Sequence, residues 1–176
     1  MDEYELVDGC SEGSPSAQRE LYNRFSQKMF GVCLRYAKDT DEAQDILQDG
    51  FVKVFQKINL FKKEGSLEGW IRRIMVNTAL DQIRKNKKDQ LNVSMDKVDF
   101  MISDSDHIVE SLMAEDLLKI LQLLPIGYRT VFNMFAVEGY SHKEIAEQMG
   151  ISENTSKSQY SRAKSAMKKL LEKYNY

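Results

Sequence analysis

The sequence is poor in the residues that interrupt helices, close disulfides or build metal sites. Only two prolines, two cysteines and two histidines occur among its 176 residues. The cysteines and histidines lie too far apart for the close ligand pairs of zinc sites, so we expect neither a structural metal nor a disulfide. No apolar run exceeds four residues, which argues against a membrane-spanning helix and a signal peptide. We therefore expect a cytoplasmic protein without membrane insertion.

Signatures of catalysis are also missing. The chain has no nucleophile elbow, no phosphate-binding glycine loop and no paired histidines at helical spacing, so we expect no enzyme activity and no cofactor. One enzymatic alternative stays open, in which the carboxylates from Asp41 to Asp49 hold a metal ion. The helix dipole alone, however, favours acids near a helix N-terminus.

The net charge of −2 conceals a segregation of signs along the chain. Residues 1–12 carry five acids and no base, and residues 89–116 carry eight acids against one lysine. By contrast, residues 152–173 have a local charge of +4. This pattern predicts two modules, at residues 8–88 and 111–176, joined by an acidic linker at residues 89–110.

The first module has helical periodicity and no strand-like alternation, so we predict an all-α fold. Ser14 followed by Pro15 is typical of a helix start. Asp39 and Glu42 predict a capping box for a second helix, in which Gly50 is expected to cost about 1 kcal/mol relative to alanine. After a loop at residues 59–65, a third helix carries apolar residues on one side and polar residues on the other.

Two surfaces of the first module are candidate binding sites. Trp70 follows a loop that carries Phe61 and lysines, a combination suited to stacking on unpaired bases while holding phosphates. Core packing of the tryptophan and a merely solvated polar stripe are the alternatives. The outer face of the second helix is a candidate docking surface for another protein. It is polar near the start of the helix and combines polar and apolar residues further along.

The second module contains a short helix, a glycine turn and a basic helix. Ser141 and Glu144 predict a capping box, Gly150 suits a left-handed C-terminal position, and Ser152 can cap the next helix. These features are typical of a helix-turn-helix whose second helix enters the major groove of DNA. An ordinary helical hairpin with a solvated basic face is the alternative. The candidate DNA-contacting residues are Ser152, Asn154, Thr155, Lys157, Ser158, Ser161, Arg162 and Lys164.

Two stretches of the chain resemble a known protein family. Residues 21–88 resemble the second conserved region of bacterial sigma-70 family sigma factors, especially in DEAQDILQDGFVKVFQKI (residues 41–58) and EGWIRRIMVNTALDQIRK (residues 68–85). Residues 123–170, from LLPIGYRTVF to AMKKL, resemble the fourth. The order of the regions and the short acidic connection resemble the extracytoplasmic-function (ECF) subgroup.

The resemblance implies two small helical domains and a role in promoter-specific, DNA-templated transcription initiation. The helix at residues 41–58 would dock on the clamp helices of the largest subunit of core RNA polymerase. The residues implied for this contact are Asp45, Gln48, Asp49, Val52 and Gln56. An anti-sigma factor is a further implied partner, and the acidic linker would follow the polymerase's channels toward RNA exit.

The resemblance also implies two contacts with promoter DNA. The helix-turn-helix would read the minus-thirty-five element. The loop and third helix would recognise and melt the minus-ten element, through Phe61, Lys63, Trp70, Arg72, Arg73, Asn77, Asp81 and Arg84.

Two positions depart from the family pattern. Ser156 stands where a core valine is usual, and Gln159 where an arginine is usual. A core serine is expected to weaken packing unless its hydroxyl bonds back to the preceding turn. A glutamine in place of the arginine is expected to remove one bidentate reader of bases or clamp on phosphate.

Two functional alternatives remain beside a sigma factor. A stand-alone helix-turn-helix regulator should form symmetric dimers and protect a palindrome by itself. A helical metalloenzyme should bind a divalent metal and lose activity when Asp45 is replaced. A sigma factor should do neither and should co-purify with core polymerase.

Overall fold

The structure, a computed structural model, describes residues 1–89 and 114–174, and this part of the chain is helical without a strand. Its α-helices are α1 (Glu3–Ser11), α2 (Pro15–Tyr36), α3 (Thr40–Lys57), α4 (Leu67–Asp89), α5 (Ala114–Leu123), α6 (Ile126–Phe132), α7 (His142–Met149) and α8 (Glu153–Lys173). The chain divides into two compact units, Met1–Ile83 and Arg84–Tyr176. The all-α prediction is confirmed. All but the first residue of the predicted acidic linker lies outside the described residues.

The helix starts of the N-terminal unit follow the predicted caps. The Ser14 side chain caps α2, with Pro15 in its first turn. At α3, Asp39 accepts a hydrogen bond from the Glu42 N–H at 2.8 Å. The Glu42 carboxylate accepts the Lys38 N–H at 2.6 Å instead of that of Asp39. The predicted capping box is therefore only half formed, because Glu42 reaches one residue further back.

Helix α1 was not predicted from the sequence. Asp2 and Glu5 form a reciprocal capping box at its start. Leu6, Val7 and Cys10 are buried, and the helix packs against α2 and a 3₁₀ turn at Ile58–Leu60. The spacing of Asp2 and Glu5 and the apolar residues that follow them could have predicted this helix. The run of acids in residues 1–12 made that pattern hard to recognise. The 3₁₀ turn also occupies the start of the segment expected to be a loop.

The core of the N-terminal unit forms between α2, α3 and α4. Large side chains are completely or almost completely buried there, namely Leu21, Met29, Tyr36, Ile71, Met75 and Leu80. Helix α4 is buried over more of its circumference than a single apolar stripe would be. Val76 and Leu80 are enclosed in addition to Ile71 and Met75. A methyl group at Gly50 of α3 would overlap the sulfur of Met75, so these helices approach closely at this glycine.

Both cysteines lie in this unit as buried free thiols. Burial raises the pKa of both, that of Cys33 to about 12. Cys33 therefore serves as a small apolar core residue.

The C-terminal unit packs α5 and α6 against the long helix α8. Ile120, Leu121 and Leu124 form a cluster with Met167 and Leu170. Helix α5 ends before Pro125, and α6 continues into a π-helical turn at Asn133–Val137. None of the described helices has the length and apolarity needed to cross a membrane.

Candidate nucleic-acid interface

The helix-turn-helix begins with the predicted capping box. The Ser141 hydroxyl accepts the Glu144 N–H at 3.2 Å, and the Glu144 carboxylate accepts the Ser141 N–H at 2.8 Å. Hydrogen bonds to its carboxylate from the backbone N–H and the side chain of Ser141 lower the pKa of Glu144, because they favour its charged form. Gly150 ends α7 in the left-handed region at φ +65°. Both local predictions are confirmed.

Ser152 is the N-cap of helix α8, as predicted. The Ser152 hydroxyl accepts the Thr155 N–H at 3.0 Å, and the two hydroxyl oxygens lie 2.8 Å apart. These hydroxyls therefore satisfy the helix start, which makes their first role structural.

The structure gathers the eight predicted minus-thirty-five residues on α8 and its N-cap. Seven are exposed and Thr155 is half-buried, namely Ser152, Asn154, Thr155, Lys157, Ser158, Ser161, Arg162 and Lys164. Lys157 pairs with Glu153 at 3.1 Å, and the Lys164 ammonium lies 4.8 Å from the ring centre of Tyr160. Asn154 and Arg162 have no partner among the described residues. Their hydrogen-bonding groups are therefore available to a ligand.

Ser156 and Gln159 both face the interior. Ser156 is completely buried, and its hydroxyl lies 2.9 Å from Nδ1 of His142. The hydroxyl of this core serine is thus satisfied by the neighbouring helix α7 and not by the preceding turn of α8. The side-chain oxygen of Gln159 is buried against Gly127 of α6. Gln159 is therefore not part of the exposed face of α8.

An aromatic cluster not predicted from the sequence supports the helix-turn-helix. The Phe135 ring stacks on His142 with centroids 4.3 Å apart, and Tyr160 packs on Phe135 at 4.6 Å. The cluster joins the π-helical turn to α7 and α8. The π turn inserts an extra residue per turn, which no simple helical periodicity reveals.

Helix α4 carries a second polar surface. Trp70, Arg73, Asn77, Asp81 and Arg84 recur every three or four residues and share one face. Arg73, Asn77 and Asp81 are exposed, whereas Trp70, Arg84 and the neighbouring Arg72 are half-buried. Asp81 pairs with Lys53 of α3 at 3.3 Å. None of the predicted minus-ten residues is buried in the core.

The loop before α4 brings aromatic and basic groups together. The rings of Phe61 and Trp70 lie 5.6 Å apart and both are half-buried. Trp70 is therefore neither a core residue nor a fully exposed one. Lys63 adopts a positive φ of 58°, and its ammonium lies 2.6 Å from a carboxylate oxygen of Asp8 in α1.

The outer face of α3 presents the predicted docking residues. All five are exposed, namely Asp45, Gln48, Asp49, Val52 and Gln56. Val52 is an apolar side chain with 54% of its surface exposed. Within residues 1–89 and 114–174, no three His, Cys, Asp or Glu side chains cluster as metal ligands would.

Two family models match the chain in succession. The model described as "Sigma-70 region 2" matches residues 21–89, and "Sigma-70, region 4" matches residues 114–167. The first therefore covers the predicted docking face of α3, the loop and α4. The second covers α5, α6, α7 and most of α8.

Curated proteins resemble the chain over nearly its whole length. RNA polymerase sigma-H factor of Pseudomonas aeruginosa is 26% identical over an alignment covering 96% of this chain and 93% of that protein. ECF RNA polymerase sigma factor SigW of Bacillus subtilis is 27% identical, with 91% of each chain covered.

Solved structures share the fold. The sigma factor RpoE of Bartonella quintana, solved in complex with the anti-sigma factor NepR, aligns with a TM-score of 0.53 and 24% identity, covering 88% of this chain and 96% of RpoE. CnrH, solved in complex with the cytosolic domain of CnrY, aligns with a TM-score of 0.50 and 20% identity, covering 95% of each chain.

Proposed function

The chain belongs to the sigma-70 family of sigma factors, ECF subgroup, and we propose how its helices divide the work of transcription initiation. The observation that carries the function is the succession of region 2 and region 4 in one chain. A sigma factor binds core RNA polymerase and directs it to promoters. It needs surfaces for the polymerase and for two promoter elements.

We assign reading of the minus-thirty-five element to the exposed face of α8. Asn154 and Arg162 support this proposal, because both are exposed side chains without described partners. Asparagine can make paired hydrogen bonds to adenine, and arginine to guanine. Lys157 and Lys164 add attraction to phosphates, which strengthens binding without specifying sequence.

We assign the minus-ten element to the loop and the polar face of α4. The half-buried Phe61 and Trp70 rings offer a stacking surface, and Arg73 adds an exposed positive charge nearby in sequence. Removing a base from its stack costs a few kcal/mol, which aromatic and phosphate contacts must offset.

We assign polymerase docking to the outer face of α3. The exposed Val52 lies among polar residues of this face, and an exposed apolar side chain surrounded by polar ones suits the centre of a protein contact. Val52→Glu should therefore weaken the complex with core polymerase at least about tenfold, since it places a charge there. The same substitution at Val137, which is also exposed, serves as the matched control.

The remaining proposals follow from these partners. We propose that the chain has no catalytic activity of its own, since the polymerase performs RNA synthesis, and that it works beside that enzyme in the cytoplasm. RpoE, which shares the fold, was solved with the anti-sigma factor NepR. We therefore propose that an anti-sigma factor also regulates this chain.

Run-off transcription tests the function. Purified chain and core polymerase are incubated with a library of promoter templates, and RNA products are sequenced. We expect start sites that share minus-ten and minus-thirty-five sequences and depend on the added chain. Failure to bind polymerase, or binding without RNA from any template, contradicts the function. Protection of a palindrome by a dimer of the chain alone would favour a stand-alone regulator.

A further inference from the structure

The acidic helix α1 contacts the loop to which we assign minus-ten recognition. Asp8 lies 2.6 Å from the ammonium of Lys63, and the same ammonium lies 5.6 Å from the centre of the Tyr4 ring. Tyr4 and Asp8 are four residues apart, so they share one face of α1. A carboxylate and an aromatic face from one helix thus hold a single lysine.

Lys63 adopts a strained backbone conformation. Its φ of 58° lies in the left-handed region, and it is the one non-glycine residue with a positive φ in the described chain. A side chain in this region costs free energy, and such a conformation persists where its surroundings hold it. The contacts from α1 act directly on the strained residue.

Both ends of the loop are anchored to helices. The Phe61 N–H donates to the Ile58 carbonyl at 3.1 Å, and the Ser66 hydroxyl accepts the Gly69 N–H at 3.2 Å. Between these anchors, Asp8 connects the loop to α1, whose own position is secured by buried apolar residues. Helix α1 is therefore well placed to hold the middle of the loop in one position.

We propose that Asp8 is a positioning residue for promoter melting. Its carboxylate holds Lys63 in the left-handed conformation and so fixes how the loop presents Phe61 and Lys62 to the melted strand. This inference rests on the minus-ten role proposed for the loop. The Lys63 side chain stays 36% exposed, and an ammonium has three donors, so it can bind a phosphate while it keeps Asp8.

The sign of the effect distinguishes positioning from simple electrostatics. Removing a negative charge beside DNA should strengthen DNA binding, because less repulsion opposes the phosphates. Loss of positioning should have the opposite effect. We expect Asp8→Asn to slow promoter opening about two- to fivefold, the range expected for an exposed ion pair.

The test uses holoenzyme formed from full-length chain and core polymerase, on a promoter selected by run-off transcription. A fluorescent base analogue in the minus-ten element reports strand opening, and polymerase binding is measured separately. Glu12→Gln is the matched control, because Glu12 is an exposed acid at the end of the same helix. We expect Asp8→Asn to slow opening, Glu12→Gln not to slow it, and Asp8→Glu to restore most of the rate.

A double-variant cycle tests whether Asp8 acts through Lys63. Lys63→Gly removes both the ammonium and the strain, so Asp8→Asn should have no further effect in that background. Unchanged or faster opening with Asp8→Asn would overturn the proposal, and so would an equal slowing with and without Lys63.

Trp70→Ala tests the minus-ten role of the loop and α4 separately. If Trp70→Ala leaves promoter opening unchanged, the minus-ten role proposed for the loop and α4 fails. If Trp70→Ala slows opening and Asp8→Asn does not, only the positioning role of Asp8 fails.

Discussion

At the scale of single residues, two helical glycines have opposite surroundings. A methyl group at Gly31 of α2 would enter open space, whereas one at Gly50 of α3 would overlap Met75. Helix propensity makes the same prediction for both positions, a gain of about 1 kcal/mol on changing glycine to alanine. The close approach of α3 and α4 reverses that expectation at Gly50.

We predict that Gly31→Ala raises the free energy of unfolding by up to about 1 kcal/mol. Gly50→Ala should lower it by about 1–3 kcal/mol, because Met75 must leave its place in a filled core. Urea unfolding measures both values. In a double-mutant cycle, Gly50→Ala should cost less when Met75 is already alanine. A stabilising Gly50→Ala variant would contradict the close packing.

Cys33 gives a residue-scale prediction with a pH dependence. Its pKa is raised from 9.0 to about 12 by burial, so the folded state disfavours the thiolate more than the unfolded state does. This contribution to stability is fully present below about pH 9 and is lost as the pH rises toward 12, by at most about 1.4 kcal/mol per pH unit. Urea unfolding as a function of pH should show a shallower alkaline loss for Cys33→Ala. Equal alkaline slopes in the two proteins would contradict it.

At the scale of elements, the start of α8 combines folding with recognition. Ser152 is a predicted DNA contact, yet its hydroxyl accepts the Thr155 N–H and so caps the helix. An alanine variant alone would confuse the two roles, because loss of the cap would disturb every residue on the face. Aspartate separates them, since it caps well and carries a charge that DNA repels.

We predict that Ser152→Ala lowers the free energy of unfolding of the C-terminal unit by about 1 kcal/mol. Ser152→Asp should retain the cap and change that free energy by less than about 0.5 kcal/mol, while transcription from promoters that need the minus-thirty-five element falls. Thermal unfolding and run-off transcription measure the two effects. Normal transcription with Ser152→Asp would remove Ser152 from the DNA-contacting surface.

At the scale of the whole molecule, charge is separated along the chain while the total stays near neutral. The net charge is −2, although residues 152–173 carry a local charge of +4. We therefore expect the phosphate contacts proposed for α8 to be offset by repulsion from acidic segments elsewhere. On this argument, we expect tight promoter binding to need further contacts that the polymerase supplies.

We predict that the isolated chain binds promoter DNA weakly, because few phosphates are neutralised, and that it loses this affinity as salt rises, because the binding depends on counterion release. Fluorescence anisotropy with labelled promoter DNA, with and without core polymerase, measures this difference. A nanomolar specific complex at physiological salt without polymerase would contradict it.

The sequence by itself determined the features that depend on neighbours within one or two helical turns. The caps at Ser14, Ser141 and Ser152, the left-handed Gly150 and the exposed faces of α3 and α8 could all be predicted, because capping and amphipathicity are local properties. The two family regions were also evident, since their motifs are continuous stretches of chain.

Only the tertiary structure decided which side chains meet across helices. It pairs Ser156 with His142 and buries Gln159 against Gly127. It also places Asp8 beside Lys63, although the two residues are 55 positions apart in the sequence. Each contact depends on which helix packs next to which, and packing is set by the whole buried surface of a unit. For that reason no local pattern in the sequence revealed these contacts.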